Sequence, residues 1–441
     1  MSGIISSIFN SWGAEKTASK LILASEKFNR FSFLETGNTN ISPNSRNSIG
    51  YDFICAIDSD TEINAGSSQF IDIQDFVQKN KGQWIFGHFN YDIKNAIEPS
   101  LKGHLPDPIG FPDYVLFIPK TVVVCQNGQI TVWGNESLLA FLLENEGDVF
   151  QPTKNSLNSI ASTVSFEEYR RNFDKIRFHL QRGDIYEINY CIPFIATGIE
   201  VNIPQLRLKQ RKLSPAPFSV LYKSNQHWLS CASPERFICK SGNKIISQPI
   251  KGTAPRTGSP INDELAKSAL LNSEKEKAEN IMIVDLVRND LSRIAQKGSV
   301  NVDELFGIYE FAHVFQMIST ISAAIREDIT FTDILKALFP AGSMTGAPKI
   351  SAMKIIEETE SFKRGLFSGT VGYITPTGDF DFNVVIRSIL YNEETKTALI
   401  PAGGALTVKC NAIDEYNECL LKARANLSLL DLSWEVLEKA E

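Results

Sequence analysis

The chain has 441 residues, with 44 Lys+Arg against 51 Asp+Glu for a formal net charge of −7, and 43% hydrophobic residues, an ordinary globular balance. Mild acidity without a clustered Lys/Arg face excludes a nucleic-acid binder that works by phosphate neutralisation. No segment approaches the ~18 uninterrupted apolar residues of a membrane helix.

In chain order, a polar stretch from Glu35 to Ser48 reads as a surface loop. YDFICAID, QWIFGHFNYDI and DYVLFIPKTVVVCQNGQITVW then read as strands, the last pair turning at Asn127-Gly128, so the first third is expected to be mostly sheet. Gly147 to Ser159 is the best junction, dividing a strand-rich part (1–155) from a second part (156–432). The second part opens with Ser165 capping a helix whose apolar residues recur at Phe166, Tyr169, Phe173, Ile176 and Leu180 until Gly183 stops it. Strands recur at DIYEINYCIPFIA, PFSVLYK, HWLSCASPERFICK, KIISQPI, GLFSGTVGYITPTGDFDFNVVIRSILYN and TKTALIPAGG, and helices at 262–272, 274–296, 331–339, 348–358 and 412–429. Strands in adjacent runs with helices grouped between them predict an α+β fold, a large two-sheet sandwich of mostly antiparallel strands with helices outside. The seven cysteines are odd in number, form no C-x-x-C pair and sit in no G-x-C-x-G turn, and the start MSGIISSIFNSWGAEK lacks a basic leader. A reducing, cytoplasmic setting without structural zinc is expected.

Several residues are candidates for chemistry. Glu276 and Glu279 lie three apart on one helix, and Glu415 and Glu418 repeat the spacing on another. Such pairs are either solvated faces or oxygen ligands for a hard cation such as Mg²⁺, which takes one or two carboxylates plus water and substrate. Lys251, between an apolar strand and Gly252, is a surface charge or, if burial lowers its pKa, a nucleophile or base. Glu235 is a general acid if its pKa rises toward neutrality, or the partner of Arg236 in an ion pair. Gly403-Gly404 and the Gly342–Pro348 turn, with Pro348 expected at the first helical position, either expose backbone N–H groups to an anion or are plain tight turns. Arg387, in an apolar strand, suits bidentate carboxylate binding.

The order of AENIMIVDLVRNDLSRIA, FPAGSMTGAPK, SGTVGYI and the DEYNE helix resembles the chorismate-utilising enzymes: anthranilate synthase component I, aminodeoxychorismate synthase component I and the isochorismate synthases. The resemblance covers about residues 165–427. Phe33-Leu34-Glu35-Thr36 is similar to an element that holds tryptophan in feedback-inhibited anthranilate synthases. Pro249-Ile250-Lys251-Gly252-Thr253 discriminates within the family: anthranilate synthases are expected to carry Ala where Lys251 stands, many aminodeoxychorismate synthases Lys. Isochorismate synthases place a water-activating Lys at the position of Glu187.

The resemblance implies Glu279 and Glu418 as Mg²⁺ ligands with Glu276 and Glu415 nearby, Lys251 as nucleophile and Glu235 as acid. Tyr373, Arg387, Gly403, Gly404, Thr345 and Gln316 would contact substrate. Three residues depart from the family pattern: Glu187 where Gln is usual, Gln316 where His is usual, and Ala405 where Gly is usual. Ala405 would be strained at φ > 0, and Gln316 can hydrogen-bond a hydroxyl without transferring a proton. The implied activity is amination of chorismate to 4-amino-4-deoxychorismate, in para-aminobenzoate and folate biosynthesis, with ammonia from a separate glutaminase subunit. The rivals are anthranilate synthesis and a non-catalytic metabolite binder.

Overall fold

The computed structural model describes residues 4–36, 50–66, 70–101, 103–144 and 160–432. The Gly147–Ser159 junction lies outside the described residues, as does most of the expected loop from Glu35 to Ser48.

Every strand pairing among the described residues is antiparallel, giving the expected α+β architecture. Strands from the first third are hydrogen-bonded into the same network as later ones. Arg30–Glu35 pairs with both Phe53–Asn64 and Phe218–Ser224, and Ile85–Phe89 pairs with Thr370–Ile374. Buried apolar side chains fall into two large clusters, each drawing on both halves of the chain.

Local signals act as expected in most elements. Tyr114–Gln126 and Gln129–Gly134 form a hairpin whose turn residues Asn127 and Gly128 have φ of 52° and 77°. In the helix Phe166–Arg182 the Ser165 hydroxyl accepts from the Glu168 N–H at 3.2 Å, and Gly183 ends the helix at φ 79°. Its buried face is Tyr169, Phe173, Ile176 and Leu180, each contributing about 1.5–3 kcal/mol of apolar burial.

The first third also holds helices that its strand-like segments do not announce, at Ile4–Trp12 and Ala14–Ala24. The first is rich in Ser and Asn, which favour helix interiors poorly, and tertiary contacts hold it. Phe9 is fully buried, and the Asn10 side chain both donates to and accepts from the Ile130 backbone at 2.8 Å, covering an otherwise open strand edge. Also beyond the expected elements are the strands Arg30–Glu35, Asn301–Glu310 and Val314–Ala324 and the helices Asp72–Lys79 and Ile203–Leu213. Pro348 is the residue before the helix Lys349–Thr359 rather than its first member, with ψ 141°. Among the described residues no helix is long and apolar enough to cross a membrane.

The strand Thr397–Leu406 runs along Glu187–Thr197 for ten residues, with Gly403 opposite Cys191 and Gly404 opposite Tyr190. An added Cβ at Gly403 would stand 2.4 Å from the Cys191 sulfur and 2.6 Å from the Tyr190 carbonyl oxygen. Gly403→Ala is therefore expected to lower the unfolding free energy by about 1–3 kcal/mol in a denaturant titration. At Gly404 the nearest atom is the flexible Glu415 carboxylate at 3.1 Å, so Gly404→Ala should stay within about 0.5 kcal/mol of the parent.

Candidate active site

The strand Ile250–Pro255 pairs with Val314–Ala324, and its register slips between Ile250 and Thr253, leaving Lys251 and Gly252 in a bulge. Gly252 sits at φ +93°, and a Cβ there would come within 3.0 Å of the Glu276 carboxylate. From this bulge the Lys251 ammonium donates to Glu187 Oε1 at 2.5 Å. Glu187 opens the strand Glu187–Thr197 and is 1% exposed, with its second carboxylate oxygen buried and unpartnered. Burial alone would lower the Lys251 pKa, but the Glu187, Glu279 and Glu235 carboxylates together raise it. The expectation that burial would free the amine is thereby corrected: the resting lysine is held as a cation.

Glu235 follows the strand His227–Ser233 and is 4% exposed. Ser343 donates its hydroxyl to Glu235 Oε1 at 2.6 Å. Burial pushes the Glu235 carboxyl up to about 7, against the opposing pull of Ser343 and Lys251. Arg236 takes no part in an ion pair with it, being committed to Asp381 at 3.0 Å. Glu235 is therefore equipped to hold a proton near neutrality.

The two Glu pairs converge from separate helices, Glu274–Ser292 and Ala412–Leu429. Lys275 stands between them, its ammonium 3.9 Å from Glu279 and 3.7 Å from Glu415. Burial pushes Glu279 up to about 7, and one of its oxygens is buried without a hydrogen-bond partner. Glu418 behaves oppositely: although burial opposes it, Lys422, at 2.5 Å, with Lys275 and Arg387, holds it below the usual carboxylate range.

Arg387 precedes the strand Ser388–Asn392 rather than lying within one, and it adopts φ 52°. A left-handed arginine is a strained conformation of the kind retained at functional sites. Its guanidinium has no hydrogen bond or ion pair among the described residues; burial lowers its pKa, and the field of Glu418 opposes that only in part. Nearby, the Gly403 carbonyl accepts from Lys422 at 2.9 Å, so Gly403 faces away from the Cys191 strand. In an antiparallel ladder its N–H points the same way, whereas Gly404 is turned toward its partner. Ala405 lies opposite Asn189 in the extended ladder with no positive φ, so the strain expected of an alanine there does not arise.

Gln316 lies opposite Thr253, two residues from Lys251, with its side-chain oxygen buried and unpartnered. The side chains of two expected residues make no contact with this cluster among the described residues, although the Thr345 carbonyl accepts from Asn189 on the Glu187 strand at 2.8 Å. Thr345 is fully buried and donates its hydroxyl to the Gly342 carbonyl at 3.1 Å, serving its own turn. Tyr373 packs against Trp84 and Phe86 and lines a separate small pocket with Leu34, Thr36 and Tyr51. Glu35, beside that pocket, is clamped by Arg207 and Arg211. Sequence reasoning missed Lys275, Lys422 and Ser343. The i,i+4 Glu418–Lys422 and Lys275–Glu279 spacings were legible as helix pairs, but the bridge from Lys275 to Glu415 joins residues 140 apart and carries no local signal.

Comparison with known proteins settles the class. A family model described as chorismate binding enzyme matches residues 32–428. The chain belongs to the chorismate-binding enzyme family. Aminodeoxychorismate synthase component 1 of Escherichia coli is 35% identical over 355 residues, 78% of this chain and 76% of that protein. An anthranilate synthase component I-like protein of Synechocystis is 33% identical over 358 residues, 79% and 73% of the two chains. The crystal structure of anthranilate synthase component I from Streptococcus pneumoniae superposes with a TM-score of 0.73 at 24% identity, covering 91% of this chain and 92% of that one, and shares the fold. The chain is thus an enzyme acting on chorismate, whose two carboxylates require a cationic pocket.

Does the site fit the Mg²⁺ expected for this family member? Among the described residues no three His, Cys, Asp or Glu stand close enough together to enclose an ion. The oxygen-only donor set, the unpartnered Glu279 oxygen and the Lys275 ammonium standing between two carboxylates all fit a hard cation that leaves positions to water and substrate. Six carboxylates, Glu187, Glu235, Glu276, Glu279, Glu415 and Glu418, meet four cations, Lys251, Lys275, Lys422 and Arg387. A chorismate dianion would add to that deficit of positive charge.

The Glu235 environment sets a pH dependence. Its proton is present below about pH 7 and lost above, so chorismate turnover that draws on it declines on the alkaline side. The Ser343 hydroxyl stabilises the charged carboxylate, so Ser343→Ala is expected to move the alkaline limb of the kcat/KM profile to higher pH.

Proposed function

We propose that this enzyme aminates chorismate to 4-amino-4-deoxychorismate, using ammonia from a separate glutaminase subunit. The observation that carries the reading is Lys251: a half-buried, carboxylate-paired amine on a bulge, sharing its electrostatic surroundings with a protonatable Glu235. A reaction in which ammonia attacked C2 directly would have no use for it.

Arg387 and the Gly403 N–H bind substrate carboxylate, Arg387 with donors no described residue occupies. Glu279 and Glu418, with Glu276 and Glu415 beside them, would hold Mg²⁺, which when bound offsets the ring carboxylate and withdraws electron density from the ring. Glu235 gives its proton to the C4 hydroxyl, which leaves as water while the Lys251 amine bonds to C2. Ammonia then bonds to C4 as the C2–Nζ bond breaks, and the proton released from nitrogen restores Glu235. Gln316 is suited to hydrogen-bond a hydroxyl without moving its proton. Splitting one displacement into two is the logic of covalent catalysis.

The nitrogen source is read from the cysteines. Six of the seven are buried, and burial pushes the part-exposed Cys410 up to about 11, so none is an exposed thiolate of the kind a glutaminase uses. Anthranilate synthesis is the second reading, because relatives such as the Synechocystis protein carry that name.

Mass spectrometry of products from chorismate, Mg²⁺ and ammonium salt tests the proposal. The expected product keeps the enolpyruvyl group and is 4-amino-4-deoxychorismate; anthranilate and pyruvate would support the rival. Lys251→Ala should abolish or strongly slow the reaction, and unchanged rate and product in that variant would overturn the nucleophile. Glutamine alone should give no turnover until a glutaminase partner from the same source is added. Glu279→Gln should raise the Mg²⁺ needed for half-maximal rate and cripple turnover, and full activity in excess chelator would rule out the metal.

A further inference from the structure

The mechanism above leaves one buried group without a task. Lys251 rests as an ammonium, and an ammonium has no lone pair with which to attack a ring carbon. Three carboxylates hold that proton, so its release to bulk water is opposed. An acceptor inside the site is needed, and the three candidates are not equivalent. Glu235 is committed as the proton donor, with Ser343 on its oxygen. Glu279 makes no ion pair with Lys251 and is turned to Lys275. Glu187 alone receives a hydrogen bond from the ammonium, at 2.5 Å, and its other oxygen is buried with nothing bound to it.

We propose that Glu187 is the positioning residue for Lys251: it takes the lysine's proton so that the amine can add to the ring, and returns it when the amine is expelled. The proposal deepens the nucleophile reading and rests on it. In the first half, one N–H bond of Lys251 breaks, its proton passes to a Glu187 oxygen, and the freed electron pair forms the bond to C2. The C4–O bond breaks with the Glu235 proton, releasing water. In the second half ammonia bonds to C4, the C2–Nζ bond breaks to give neutral Lys251 amine, and the Glu187 proton returns to it. No oxidant or further reactant is required, and both carboxylates end as they began.

The position is one where the resemblance leads one to expect Gln, and a carboxamide can align an ammonium but cannot accept its proton. Charged groups around the pair have other partners. Lys349, from the helix against this strand, is held by Asp290, and Glu360 by Arg364. Glu415 and Glu418 face Lys275 and Lys422.

The test compares Glu187→Gln, Glu187→Asp and Lys251→Ala in full-length enzyme with chorismate and ammonium salt. Glu187→Gln should lower kcat about a hundredfold or more while leaving the chorismate KM nearly unchanged. Its pH optimum should move upward, because the proton of Lys251 must then leave to solvent. Glu187→Asp, which keeps an acceptor at greater distance, should recover part of the rate and the parental pH optimum. An inactive Lys251→Ala together with a Glu187→Gln enzyme of parental kcat and pH profile would overturn the Glu187 role alone. If Lys251→Ala still makes 4-amino-4-deoxychorismate, the nucleophile reading itself fails. Should Glu187→Gln not fold, Glu187→Ala decides, since a parental kcat and pH profile in that variant, which has no carboxylate to accept the proton, overturns the proposal.

Discussion

The arrangement of this enzyme depends on one largely enclosed cation, the Lys251 ammonium in contact with the buried Glu187 and in the field of Glu235 and Glu279. Charges taken out of water are tolerated only when paired, and removing one member of such a set leaves the others uncompensated. The elements around the site supply that pairing: a strand bulge carries the lysine, a second strand begins at Glu187, and a helix brings Glu279. Gly252 at φ +93° makes the bulge possible and leaves room for the Glu276 carboxylate.

Chemically similar groups are driven apart by their surroundings. Glu235, enclosed and touched by a neutral hydroxyl, keeps a proton near neutrality, whereas Glu418, next to Lys422 and within the field of Arg387, is held ionised. Such divergence separates proton donor from charge carrier among carboxylates that sequence alone cannot rank. Arg387 adds the complementary feature, a guanidinium kept in a left-handed backbone and unpaired among the described residues, as a binder of anions requires.

Much of this was legible in the sequence, and the limits have physical reasons. Helix caps such as Ser165 and Gly183, and turns such as Asn127-Gly128, are local chemistry and appear where the residues predict them. The first helix, Ile4–Trp12, escaped because packing and the Asn10–Ile130 contacts, rather than propensity, hold it. At the site, i,i+3 spacing located the carboxylate helices, and strand-end position located Lys251. Its protonation state was misjudged, since that depends on carboxylates 64, 28 and 16 positions away in the chain, at Glu187, Glu279 and Glu235. Tyr373 was drawn to the site by its place in a shared block, but it sits in the strand Thr370–Ile374 and lines the separate pocket with Leu34.

The central claim is that this paired lysine becomes covalently bound to the substrate. The most direct measurement is intact-protein and peptide mass spectrometry of enzyme quenched in acid after mixing with chorismate and Mg²⁺ in the absence of any nitrogen donor. The account predicts a mass increase equal to chorismate less water, located on the peptide that contains Lys251 and discharged on adding ammonium salt. An enzyme that forms 4-amino-4-deoxychorismate with ammonium yet carries no such adduct, or carries it on another residue, would contradict it.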